Sequence, residues 1–214
     1  MLTTPPLARP LPLDQLRPEL VNAHQELADL AALAAAGLPV ASLLVVPAAV
    51  EERFYRLNNL PALLNEVFAR VDPDDPDEDE VEEACPAAET LVRQHYLLDE
   101  FVDAFYAAIA ELPLQMCVRR ILTDGEDAVR GRPALMALKH VYQRDWSYAS
   151  VWDRLERRQG IALEARPVLL HGAEGTADGV DAGEALAARA SEVLGTPVRL
   201  RLADGGGVVG VRRL

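Results

Sequence analysis

Aromatic side chains are scarce in this 214-residue chain, at 5 % of residues. Its core must therefore be built mainly from Ala, Leu and Val. With 50 % hydrophobic residues, there is enough for one substantial core or at most two small ones, and a disordered chain is excluded. Positive charge is also short. Against 34 Asp and Glu stand 21 Lys and Arg, for a formal net charge of −13. No excess of cations is available to displace the counterions of a nucleic acid, and an anionic membrane surface repels such a chain. Cysteine is limited to Cys85 and Cys117. Neither belongs to a CxxC pair, and His24, His95, His140 and His171 show no HExxH or other zinc spacing. Two independent, reduced thiols are expected. No run of 18 apolar residues occurs, and the richest tract, Leu27 to Val50, is broken at Gly37-Leu38-Pro39. The start lacks a Lys- or Arg-led apolar run of signal type. These absences predict a cytoplasmic protein with no membrane partner and no resident metal.

What is present predicts a mixed α/β (α+β) chain, α/β in its middle and antiparallel at its end. Residues 1–13 hold four prolines and read as an extended leader. Pro18 and Glu19 suit the first turn of a helix running to about Ala36, with Gly37 to end it. Val40 to Val46 is an apolar run bounded by Pro47 and predicts a buried strand. Helices follow over 48–57 and 60–71, divided by Asn58-Asn59. Two more are expected over 83–96 and 98–112. A strand over 114–121 and a turn at 123–125 lead to helices over 132–145 and 147–159. A strand over 165–171, a glycine-containing loop and a helix over 181–194 come next. The last residues alternate around Asp204-Gly205-Gly206-Gly207, which predicts a hairpin.

Charge is concentrated in Asp72 to Glu83, DPDDPDEDEVEE, which alone supplies −9 of the −13. A packed core cannot accept it, so it reads as a solvated loop leading into a helix. A docking tail for a basic partner is the alternative. The spacing is not that of an EF-hand, which needs a Gly at its sixth position and a Glu at its twelfth.

Ala35 to Pro47, AAGLPVASLLVVP, reads as helix, glycine cap, turn and strand. It resembles the start of the amino-terminal nucleotide-binding domain of phosphoenolpyruvate synthases and pyruvate phosphate dikinases, an ATP-grasp-type fold. Gly37-Leu38-Pro39-Val40 matches directly, and Ala41-Ser42-Leu43 replaces the family's Pro-Pro-Gly. Counting back through the helix sets the family's Gly-Gly-Lys onto His24-Gln25-Glu26. The resemblance implies that a phosphate-contacting lysine has become Glu26, a reversal of charge that disfavours a polyphosphate. A second match sets Cys117-Val118-Arg119-Arg120-Ile121-Leu122, followed by Glu126-Asp127, on the family's Val-Arg-Ser-Ser-Ala strand. Arg119 takes the place of a phosphate-binding arginine, while Arg120 and Ile121 replace the serines. The glycine-rich phosphate loop is reduced to Arg130-Gly131-Arg132-Pro133. A third match, Leu138 to Ile161, resembles the family's helix pair.

The likeness runs from Val21 to His171. It implies the first lobe of an ATP-grasp-like domain (14–171) with a helical insertion and the acidic loop, followed by a divergent helix plus β-hairpin over 172–214. About 40 residues remain after His171, too few for the second lobe and its metal ligands. Autonomous phosphoryl transfer, which needs a cation clamp, Mg²⁺ ligands and an oriented acceptor, is therefore not expected.

The function expected is a non-catalytic interaction or regulatory protein without a cofactor, having a protein partner or a second copy. Two alternatives are an ATP- and Mg²⁺-binding part of a split phosphotransferase completed by a partner, and a nucleic-acid module. Arg119 is the expected vestigial phosphate contact. Arg120, Arg130 and Arg132, together with Trp146 and Trp152, form the candidate interaction surface; the competing readings are core packing for the tryptophans, and surface solubilisation or pairing with the acidic segment for the arginines. The terminal hairpin is a further candidate edge for strand addition or dimerisation.

Overall fold

A computed structural model describes residues 9–175 and 180–214. Positions 1–8 of the expected leader and 176–179 of the expected glycine-containing loop lie outside the described residues. Pro10 and Pro12 keep the first described stretch extended. It forms β1 (Leu11–Pro12), then a 3₁₀ turn at Leu13–Gln15. The single helix expected over 18–36 is two, α1 (Pro18–Ala23) and α2 (Gln25–Ala35). His24 separates them with extended angles, φ −130° and ψ 109°. Beyond that break, α2 buries Glu26, Leu27, Asp29, Leu30 and Leu33. Gly37 ends the helix with φ +77°, a conformation that costs an L side chain roughly 1–2 kcal/mol.

β2 (Leu43–Val46) is shorter than expected because Val40 and Ala41 leave the sheet to meet Val208. α3 (Ala48–Leu57) follows, then a turn at Asn59, and α4 (Leu60–Val67) stops four residues early. The acidic segment is only half a loop. Asp77 caps α5 (Glu78–Gln94), its carboxylate accepting the N–H groups of Asp79 and Glu80. Acidic residues in a helix's first turn are stabilised by the exposed N–H groups and the macrodipole, so a run that no core accepts still begins a helix. α6 (Asp99–Ile109) and β3 (Gln115–Arg120) come next. β4 (Glu126–Val129) was not foreseen, being short, polar and half exposed. α7 (Arg132–Arg144) and α8 (Tyr148–Glu156) are separated by Ser147, which caps α8. β5 (Val168–Gly172), α9 (Val180–Leu194), β6 (Val198–Leu202) and β7 (Val208–Arg213) complete the chain.

The architecture is a mixed α/β fold with several helices and two small sheets. One sheet has the order β1-β2-β5-β3-β4 and the other is the β6–β7 hairpin. An antiparallel end alone was expected, but every named strand pair is antiparallel. Among the described residues the parallel pairing is an isolated bridge, Val40 to Val208. Alternation along the strands splits the core in two. Val118, Leu170 and Leu44 face the larger cluster, with α3 to α8. Leu43, Val45 and Leu169 face a smaller one, closed by α2, α9 and the hairpin. Arg119 and Arg120 are adjacent on the interior strand β3, so they point to opposite faces of the sheet, and both are buried.

Candidate functional site

Arg119 is the largest of the fully buried side chains. Its guanidinium has five N–H donors, and all five are engaged. Nη1 and Nη2 grip the carboxylate of Glu26 at 3.0 and 2.7 Å. Nη1 also donates to the carbonyl of Arg120 at 3.2 Å, and Nη2 to that of Val209 at 2.8 Å. Nε donates to Nε2 of His171 at 3.0 Å. That bond requires Nε2 to be the acceptor, and Nδ1 then donates to the carbonyl of Gly172 at 2.7 Å. His171 is thus a neutral imidazole. Burial pushes its pKa down, and Arg119 adds to this against the Gly172 hydrogen bond.

Glu26 is equally committed. Besides Arg119 it accepts the N–H of Leu122 at 2.7 Å and that of Val211 at 3.3 Å. Two local irregularities complete the shell around the Glu26–Arg119 pair. Leu122 has φ +61°, uncommon for a residue with a side chain, and so turns its N–H toward the carboxylate. On β7, Gly210 pairs with Arg201 and Val208 with Leu202, leaving Val209 between them as a bulge. A bulged residue escapes the ladder, and here its carbonyl is aimed at Arg119. A Cβ at Gly210 would lie 2.8 Å from Arg119 Nη2 and 2.9 Å from Glu26 Oε1. The absence of a side chain there is what lets β7 close over the pair. Asp29, one turn along α2, is held by Arg213 of β7 at 2.7 and 3.0 Å. The two residues that the resemblance sets on phosphate-contacting positions do converge. They meet each other, capped by the carboxy-terminal hairpin, with no N–H of Arg119 left for a phosphate.

Arg120 makes a second buried network on the opposite face. It pairs with Glu51 at 2.6 Å and with Asp145, and donates to the carbonyl of Arg166. Arg166 returns its N–H to Glu51 at 3.0 Å and its guanidinium to Asp145. The Arg120 guanidinium also lies over the Tyr142 ring, 5.1 Å from its centre. Burial pushes the Glu51 carboxyl up, against the opposing pull of Arg120. Arg120 is held above its ordinary value by Glu51 and Asp145, although burial works the other way.

The expected arginine–tryptophan surface does not exist as one patch. Arg120 and Trp146 are buried. Sequence alone could not separate these from exposed residues, because their carboxylate and hydroxyl partners lie far along the chain. Trp146 Nε1 donates to Tyr55 Oη at 2.6 Å, and Arg154 lies over its indole at 5.3 Å. Trp152 is half-buried, stacked on Tyr148 with ring centres 5.8 Å apart, and bonded to Glu156. Arg130 is exposed but caps the end of α6 through the carbonyls of Ala110 and Leu112. Arg132 is exposed at the start of α7. The acidic segment draws neither of them. Among the described residues it pairs with Arg70, 3.5 Å from both Glu80 and Glu83, and Glu78 accepts the Tyr148 hydroxyl at 3.0 Å.

Cys117, His171 and Glu174 bring one potential ligand atom each to within 4.8 Å of one another. Two of the three groups are already engaged within the protein. Burial and the Glu174 charge push the Cys117 thiol up to about 12, so it is not a thiolate near neutrality. Both ring nitrogens of His171 are occupied, one of them by the cationic Arg119. Glu174 is paired with Arg201 at 3.2 Å. Burial also pushes the Cys85 thiol up, to about 11. Both cysteines are buried free thiols. No helix among the described residues is long and apolar enough to cross a membrane.

No protein-family model matches this chain, and no curated protein matches it either.

Proposed function

We propose that this chain is a non-catalytic interaction or regulatory protein, built on a scaffold that resembles the first lobe of an ATP-grasp-like domain but holds no nucleotide. The observation that carries the reading is the engagement of every Arg119 N–H inside the protein, four of the five bonds reaching Glu26, His171 and the hairpin. An anion site needs donors aimed at open space and free of other partners. Here the single retained arginine is neutralised by the carboxylate that stands where the resemblance sets a lysine. Replacing those bonds with bonds to phosphate would bury an unpaired Glu26, a cost of several kcal/mol on the order of 3–5. The same commitment argues against a split phosphotransferase, since a partner lobe would find its arginine already spent. The burial of Arg120 and Trp146 removes the centre of a nucleic-acid surface from a chain already at −13.

The test is calorimetric titration of the full chain with ATP in the presence of Mg²⁺. No saturable heat is expected up to millimolar nucleotide. Micromolar, Mg²⁺-dependent binding would overturn the reading.

A further inference from the structure

A groove of about 880 Å³ lies beside β2, between α2 and α6. Its size is in the range of functional pockets, and its walls are unusual. From α2 it is lined by Ala31, Ala34 and Ala35, and from α6 by Ala104, Ala107 and Ala108. Each set falls at i, i+3 and i+4, so it forms one helical face. Leu43 and Leu44, whose side chains belong to opposite sides of the sheet, both reach the groove, which therefore runs along the sheet edge where β1 gives way to the 3₁₀ turn.

Small walls alone specify no occupant. The charges around them do. Neither α2 nor α6 contains a Lys or Arg. Asp14 and Glu111 line the groove and are exposed. Neither belongs to an ion pair among the described residues. Arg9 is the one cation among the lining residues, and it does not balance two carboxylates on a chain at −13. A second copy of this chain would bring its own acidic field and be repelled. A small apolar molecule is normally enclosed over most of its surface, whereas this groove is open along one side. Alanine faces let another helix approach to the short end of the roughly 8–10 Å range of interaxial distances. They also leave room for that helix's larger side chains.

We propose that this groove receives an amphipathic helical segment of a partner protein. Leu-, Ile- or Met-type side chains of that segment fill the space between the alanine faces, and its Lys or Arg residues meet Asp14 and Glu111. This is the helix-in-groove mode of recognition. The proposal rests on the reading of the chain as an interaction protein, and adds to it the site and the chemistry of the partner.

The test is selection of random 16-residue peptides displayed on phage against the full chain, followed by fluorescence anisotropy with the enriched sequences as synthetic peptides. Two variants decide where they bind. Ala34→Trp with Ala107→Trp fills the groove at exposed positions. Asp14→Asn with Glu111→Gln leaves its shape and removes the charge. The expected result is enrichment of basic sequences with apolar residues at i, i+3 or i+4, and i+7. Their affinity should fall at least about tenfold in the tryptophan variant. In the charge variant it should fall about threefold or more, with a weaker dependence on salt. If the tryptophan variant does not melt like the parent, the charge variant and its salt dependence alone decide.

Enrichment of acidic sequences, peptides indifferent to the variants, or no enrichment overturns the proposal. So does self-association in sedimentation that the tryptophan variant abolishes, since a second copy would then be the occupant. Saturable binding of a dansyl-labelled fatty acid that the same variant blocks, with no peptide bound, also overturns it. None of these outcomes touches the ATP titration. Failure of the groove leaves the non-catalytic reading standing, and ATP binding removes that reading without bearing on whether peptides occupy the groove.

Discussion

Glu26→Gln is the perturbation that weighs the buried pair most cleanly. The side chain keeps its size, but one oxygen becomes an NH₂ donor. In the native protein the two oxygens accept four N–H groups, two from Arg119 and one each from Leu122 and Val211. The variant sets a donor against donors and leaves the Arg119 charge unbalanced in the interior. Removing one partner of a buried ion pair costs about 3–5 kcal/mol, against a total stability of about 5–15 kcal/mol for a domain. For a chain of this size each kcal/mol moves the midpoint by roughly 2–4 °C, so a fall of about 6–20 °C is expected. Urea unfolding followed by far-UV circular dichroism, with scanning calorimetry for the midpoint, measures it. A double replacement, Glu26→Leu with Arg119→Met, sharpens the reasoning. Apolar substitution of a buried pair is often neutral, but here it strands the Leu122 and Val211 N–H groups, the Val209 carbonyl and Nε2 of His171. About 1–3 kcal/mol for each group left without a partner is the expected loss. If Glu26→Gln came within about 0.5 kcal/mol of the parent, a range ordinary for surface sites, the account of this pair as an internal clamp would be refuted.

Three further outcomes follow from the same geometry. Gly210→Val places a side chain on Arg119 and Glu26. Overpacking of this kind costs about 1–3 kcal/mol, and the hairpin amides should show the largest loss of hydrogen-exchange protection; protection lost evenly over the whole chain would count against a hairpin-specific cap. His171 is held below its ordinary value by burial, so the unfolded chain binds a proton that the folded one refuses. Stability is then full above about pH 6.5 and erodes as pH falls, by up to about 1.4 kcal/mol per pH unit. His24 shares this sign through its own burial, so the slope should flatten in His171→Gln without vanishing, and an unchanged slope would contradict the neutral assignment. Cys117, with its thiol pushed up to about 12, should react with Ellman's reagent only at the rate of global unfolding; rapid reaction of the native protein would show that the thiol is not sealed.

Local chemistry made much of the fold legible. Pro47 and Asn58-Asn59 bound α3, Gly195 follows α9, and the alternating residues around Asp204–Gly207 form the hairpin. The misses lie where tertiary context overrides local pattern. The break at His24 replaces an uninterrupted helix period. β4 gave no apolar signal because it lies at an edge of the sheet with one residue in two exposed. The acidic run reads as a loop leading into a helix at Glu83, whereas Asp77 and its neighbours already start that helix at Glu78. For the site, the resemblance draws attention to Glu26 and Arg119. It could not reveal that they bond each other, since they are 93 positions apart. Nor could it show that a bulge at Val209 and a left-handed Leu122 complete their shell. Core packing, the competing reading for Trp146, holds for it, but the burial of Arg120 has no local sign because its partners Glu51 and Asp145 are distant in sequence. The groove between α2 and α6 had no sequence signal beyond alanine at helical spacing, which is also the pattern of an ordinary packed face.

Glu26→Lys tests the central claim most directly, because the two accounts of Arg119 predict opposite results. It restores the residue type that the resemblance sets at this position. If the pair is an internal clamp, two cations meet in the sealed interior. The variant then unfolds or melts far below the parent, and Mg²⁺-ATP produces no binding heat in calorimetry. A variant that melts with the parent and binds Mg²⁺-ATP, with that binding lost on adding Arg119→Ala, would contradict the account and make the site a nucleotide site one substitution away from function.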